Sequence, residues 1–255
     1  MRVYIEDYFT KWFEYPFRGV NLDNCQSESL SNEALSIAYL SPPTDRDYPG
    51  SIQQILQRSE CPTPVAARFE PHEGRLPDTG DFDLVVVTGS TARIGDPKPW
   101  FDSLADYLLR AIRSETPTLG VCFGHQFLAH LFGGTVESLP HQQVTVSSIE
   151  LTEAGRSDPL FRSLSNRFDS FVYHHDHVTE LPADATCLAR NETGVQAFRV
   201  NGRPVRGIQF HPEFTERMAR GVGYEGPVPI DMSRRVYSNL IEAVEETPDI
   251  SRGEA

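Results

Sequence analysis

The chemistry of this chain concentrates in Gly120-Val121-Cys122-Phe123-Gly124-His125-Gln126. An apolar run enters this stretch and a helical pattern leaves it, so it reads as strand, sharp turn and helix with Cys122 at the apex. Glycines two residues before and after a nucleophile suit a turn where backbones crowd together. A helix N-terminus favours thiolate over thiol, and thiolate is the form that attacks a carbonyl. Downstream lies Ile208-Gln209-Phe210-His211-Pro212-Glu213. On extended chain, residues two apart share a face, so His211 and Glu213 can act in series. The histidine moves a proton, and the acid fixes its tautomer and supports its charged form. Cys122, His211 and Glu213 thus supply nucleophile, base and orienter.

The two motifs together resemble those of the class I, triad-type glutamine amidotransferases. That family's elbow is G-x-C-x-G-x-Q and its second motif is H-P-E, and every fixed position is present here. The resemblance runs from Ala34 through the H-P-E segment. It is nearest to the stand-alone group related to the amidotransferase part of GMP synthase. It implies a doubly wound, mostly parallel α/β sheet of flavodoxin-like type, with an antiparallel extension in the C-terminal half. It also implies an oxyanion hole from the backbone N–H groups of Gly89 and Phe123. Thr88-Gly89-Ser90 replaces the P-G-G-like loop usual there, which leaves the loop's shape open. Gln126 and His174 are expected to bind substrate, with His174 in a loop that lines the glutamine pocket.

The implied reaction is attack of Cys122 on the glutamine side-chain amide, release of ammonia, and hydrolysis of a γ-glutamyl thioester. It needs no redox or nucleotide cofactor. A separate synthase subunit is a candidate acceptor of the ammonia. Hydrolysis of γ-glutamyl peptides and a non-catalytic regulatory role are the alternatives. Tyr173-His174-His175-Asp176-His177 holds metal-ligating residue types. Neighbours on extended chain face opposite ways, so no metal site is expected.

Elements that could hold these residues are visible around them. Leu35–Leu40 and Leu84–Val87 read as strands, the second a continuous apolar run suited to a sheet covered on both faces. Helical spacing marks 51–58, 99–113 and 126–132. Thr118–Val121 leads into the elbow. Strands are expected at 144–151, 167–173, 186–190, 195–200 and 205–210, with Asn201-Gly202 turning a hairpin. A closing helix is expected over 233–246, with Val236, Leu240, Ile241 and Val244 inward. In such a sheet, sites lie at the carboxyl ends of strands, where Gly89 and Cys122 fall.

A chain of 255 residues has room for one α/β domain with a full core, and this domain is placed at 34–247. Residues 1–33, aromatic-rich over 1–20 and a polar linker over 21–32, read as an N-terminal extension, poorly ordered or a docking arm, and 248–255 as a frayed tail. A net charge of −13 argues against nucleic acid and anionic membrane as partners. The four cysteines form no C-x-x-C pair, and no membrane span is visible. A cytoplasmic setting suits a chain that needs a free thiol.

Overall fold

The computed structural model describes residues 35–56, 65–229 and 231–245. The expected N-terminal extension at 1–33 and the tail at 248–255 lie outside them. The fold is α/β, built on one nine-stranded mixed sheet. The parallel half holds β1 (Ser36–Leu40), β2 (Val65–Phe69), β3 (Leu84–Val87), β4 (Thr118–Val121) and β9 (Val205–Ile208). The antiparallel half adds β5 (Thr135–Leu151), β6 (Arg167–Glu180), β7 (Ala185–Asn191) and β8 (Gly194–Val200). Spatial order is β2-β1-β3-β4-β9-β8-β7-β5-β6. The change from parallel to antiparallel pairing comes at β9, which lies between β4 and β8.

Helices cover the parallel strands. They are α1 (Tyr48–Leu56), α2 (Trp100–Arg113), α3 (Phe123–Leu131) and α6 (Asp231–Glu245), with short turns α4 (Glu153–Arg156) and α5 (Glu216–Arg220). Every residue of β3 and β4 is buried, as a continuous apolar run in a doubly covered sheet requires. One core layer gathers Ile37, Tyr39, Leu84 and Val86 with Val236 and Ile241 of α6. The other gathers Ala38, Val85 and Val87 with Leu104, Leu108 and Phe127. Alternate residues of β1 and β3 therefore serve opposite layers.

Several elements differ from the sequence expectation. The first helix begins at Tyr48, and α3 begins at Phe123 directly after the cysteine. The segment 174–177, expected as a loop after a strand ending at Tyr173, is the middle of β6. It pairs with the first half of β5, where the register shifts between Ser138 and Gln143. Pro140 falls in that irregularity, the place where a strand tolerates proline.

The elbow is held by close backbone contact. A β-carbon at Gly124 would lie 2.2 Å from the carbonyl oxygen of Val87, and one at Gly120 would lie 2.4 Å from the carbonyl of Gly124. Helix α3 thus sits directly on β3 and β4. Gly124→Ala should destabilise the fold by about 2–3 kcal/mol, since a clash with backbone outweighs the better helix propensity of alanine. Gly95→Ala, where a β-carbon meets nothing within 4 Å, should leave stability unchanged. Urea unfolding of both variants checks the contrast.

Candidate active site

Cys122 has φ 51° and ψ −98°, a left-handed backbone rare for a residue with a side chain. Its N–H bonds to Ile208 O at 2.8 Å, and Gln126 N bonds back to its carbonyl at 3.0 Å. These contacts hold the corner against β9 on one side and α3 on the other. The thiol donates to Tyr173 O at 3.5 Å. Phe123 is the first residue of α3, so its N–H has no partner within the helix.

His211 and Glu213 follow β9, and neither is more than 1 % exposed. Nδ1 of His211 lies 2.6 Å from Oε1 of Glu213. A carboxylate only accepts, so Nδ1 carries the proton and Nε2 is left for the thiol side. Nε2 meets no partner with strict hydrogen-bond geometry. Cys122 is nevertheless close enough to act on the ring's charge and to contact it by side chain. Burial disfavours the charged imidazole, but the Glu213 carboxylate and then Cys122 outweigh it and raise it to about 10. Phe171 O accepts from the His211 N–H at 2.8 Å. Tyr48 stacks on the ring at 5.4 Å and 17°, and Phe214 packs at 5.0 Å.

Gly89 lies at the same spot. A β-carbon there would come within 3.1 Å of His211 Cε1 and 3.0 Å of the Tyr48 ring. The loop after β3 thus passes close to the imidazole, with Thr88 tied to Leu40 O by its N–H.

Gln126 and His174 also converge, on one carbonyl. Nε2 of Gln126 donates to Asp176 O at 2.7 Å and to Gln209 Oε1 at 3.1 Å, so this amide nitrogen is committed within the protein. His174 Nδ1 donates to the same Asp176 carbonyl at 3.0 Å. Burial, then the neighbouring His211, push His174 down to about 4, so it is neutral and its Nε2 is a bare acceptor. His125, which the chemistry does not require, packs on Phe198, and burial pushes it down to about 3.

Alternation along β6 separates the histidine-rich segment. His174 and Asp176 are buried, whereas Tyr173, His175 and His177 are only partly covered. Asp176 is occupied by Arg93, which reaches it with Nε at 3.2 Å and Nη2 at 2.6 Å and also donates to Ser138. Among the described residues, no group of three potential ligands converges as a metal would need.

Three contributors were missed by sequence reasoning. Arg93 ties the loop after β3 to β6. Tyr48 covers the imidazole. Tyr237, on α6, donates its hydroxyl to Oε2 of Glu213 at 2.6 Å. The last was legible in principle: Tyr237 neighbours Val236 on the inward stripe, and a buried phenol needs a partner.

This fold is that of a known family. The glutamine amidotransferase class-I profile matches residues 47–221, and the chain belongs to that family. Similar proteins include the glutamine amidotransferase-like protein chyE of Penicillium rubens, 28% identical over 75% of this chain and 82% of that one. A glutamine-hydrolyzing GMP synthase subunit from Ignicoccus hospitalis is 32% identical over 65% of this chain and 85% of that one. A gamma-glutamyl-L-1-hydroxyisopropylamide hydrolase of a Pseudomonas species is 32% identical over 62% of this chain, and the match spans 56% of the hydrolase's length. A glutamine amidotransferase structure from Thermotoga maritima superposes with TM-score 0.65 at 17% identity, over 85% of this chain and all of that one.

The buried imidazole predicts a pH dependence. Its folded value lies above the 6.5 of a free histidine, so its charge stabilises the fold fully below pH 6.5 and that support is lost as pH rises toward about 10. In Glu213→Gln the ring should titrate at lower pH, and this loss of stability across the alkaline range should shrink. Imidazole resonances followed by NMR, with urea unfolding from pH 6 to 10, measure both.

Proposed function

We propose that the chain is a cysteine-dependent hydrolase of γ-glutamyl carboxamides, with glutamine as its substrate and ammonia as one product. The observation that supports this most directly is the buried line from Cys122 through His211 to Glu213, with Nδ1 held at 2.6 Å. In this reading the proton of Cys122 already rests on Nε2 of His211, and the thiolate Sγ bonds to the carboxamide carbon. The carbonyl oxygen becomes an anion held by the N–H groups of Gly89 and Phe123, which cost no reorganisation because the backbone already fixes them. His211 returns the proton to the departing nitrogen, the C–N bond breaks, and ammonia leaves a γ-glutamyl thioester. Water then gives a proton to His211 and adds its oxygen to the thioester carbon. The C–S bond breaks, glutamate leaves, and the thiolate of Cys122 is restored beside the protonated His211.

Gln126 and His174 take the amino-acid end of the substrate. The bare Nε2 of His174 is an acceptor suited to an ammonium group. Gln126 acts through its hold on the Asp176 carbonyl, which also fixes the His174 ring. No cofactor enters these steps. The reaction requires a reduced thiol, in keeping with a cytoplasmic setting. The likeness to the Ignicoccus protein suggests a GMP synthase-type partner, which would receive the ammonia.

A second reading has its own support. The similarity to a hydrolase named for a γ-glutamyl-L-1-hydroxyisopropylamide favours substituted amides. The chemistry is the same with an alkylamine leaving in place of ammonia.

Incubation with glutamine or with γ-glutamyl-isopropylamide, followed by a glutamate assay, separates the two readings. Cys122→Ala should reduce glutamate release by at least about a thousandfold with either substrate. A glutamine-like electrophile should label Cys122 in mass spectra and leave Cys122→Ala untouched. Release of glutamate undiminished in Cys122→Ala would overturn both readings.

A further inference from the structure

Each oxygen of Glu213 has its own donor. Oε1 accepts from His211 and Oε2 accepts from Tyr237, both at 2.6 Å. The carboxylate is fully buried and Tyr237 is 1 % exposed, so no solvent replaces either donor. Resting on the function proposed above, we propose that Tyr237 is a positioning residue of the catalytic line. Its hydroxyl fixes the rotamer and the charge of Glu213, and through Glu213 the orientation and protonation of His211.

The chemistry of a phenol suits this task. A buried carboxylate needs its second oxygen satisfied, and leaving one bare costs the full desolvation penalty of a charged acceptor. An arginine or lysine there would satisfy the oxygen but cancel the negative charge that His211 relies on. A neutral hydroxyl satisfies it and leaves the charge in place. Burial and the adjacent Glu213 hold the Tyr237 phenol well above its ordinary range, so it remains a donor wherever the protein is folded.

Tyr237 is also well fixed. Two residues on, Asn239 donates to Leu160 O at 3.0 Å and Arg162 O at 2.8 Å, which sets the register of α6. The groups facing the His211–Glu213–Tyr237 line are Tyr39 from β1, Tyr48 from α1, Cys122 from the elbow and His174 from β6. Among these, Tyr237 alone bonds the outer oxygen of the acid.

The test is the rate at which iodoacetamide alkylates Cys122 of the full chain, followed by peptide mass spectrometry from pH 5 to 10. It reads the thiol–imidazole pair without any substrate. In Tyr237→Phe, alkylation at pH 7 should be about tenfold slower, the loss expected for one hydrogen bond to a charged group. The rise in rate should move to higher pH, because Glu213 without its outer donor is free to turn away from the imidazolium it supports. Glutamate release should show a similar fall in kcat with KM unchanged. Tyr107→Phe, a buried tyrosine of α2, should change neither.

If neither glutamine nor γ-glutamyl-isopropylamide is hydrolysed and the alkylation profile still depends on Tyr237, the proposed function fails and the positioning role stands. A folded Tyr237→Phe with a wild-type alkylation profile overturns the role, as does an equal effect of Tyr107→Phe. Should Tyr237→Phe unfold, 3-fluorotyrosine at 237 keeps the shape and strengthens the donor. A displaced profile at an unchanged melting temperature then supports the role, and an unmoved one overturns it.

Discussion

The approach of helix α3 to strands β3 and β4 is the constraint on which the rest depends. Gly120 and Gly124 touch one another, and Gly124 touches the Val87 carbonyl, at distances that admit no β-carbon. With the helix this close, the chain between strand and helix has one residue in which to turn. Cys122 takes that turn at a φ of 51°. Local strain of this kind persists only where the surroundings over-determine it. Here the surroundings are two backbone hydrogen bonds, the paired glycines and a strand buried on both faces. The corner sets the sulfur at the carboxyl end of the sheet, where the loop after β3, the end of β9 and the middle of β6 also arrive.

A second constraint is charge without water. His211 and Glu213 are enclosed, and an isolated charge there would be neutralised by proton transfer or would draw in solvent. The structure meets this by giving Nδ1 of His211 and both oxygens of Glu213 a partner at short range and surrounding the pair with rings: Tyr48 on one face, Phe214 tilted against it, Tyr237 behind the acid. The neighbouring His174 is kept neutral, so it adds no second positive charge beside the first. Neutral histidine beside charged histidine is a division of labour set by burial and by which neighbour carries the carboxylate.

Much of this was legible in the residues. The cysteine and the H-P-E segment announced themselves because their chemistry demands unusual local sequence: glycines at fixed offsets, and an acid two residues from a base. The parallel strands were legible because double burial forces unbroken apolar runs such as Leu84-Val85-Val86-Val87. The polar half of the β5–β6 ribbon was not. Tyr173–His177 and the stretch around Pro140 lack the alternation of hydrophobic residues that marks a strand, and their pairing is specified by a partner far away in sequence. The edge strand Val65–Phe69 is short and mostly exposed, so no burial pattern marks it. Arg93 and Tyr237 act across long separations, 83 residues to Asp176 and 24 to Glu213, and a local motif carries no record of such a reach.

Strand β6 buries His174 and Asp176 and leaves His175 and His177 partly exposed, while Tyr173 packs beside Phe214. This odd-even arrangement gives the segment a parity. Inserting or deleting a single residue between the β5 pairing at Phe171–His174 and the ladder beyond would exchange the two sets: two imidazoles would enter the interior, and the anchor for Arg93 would turn to solvent. Changes of length in this ribbon should therefore come in steps of two over evolutionary time.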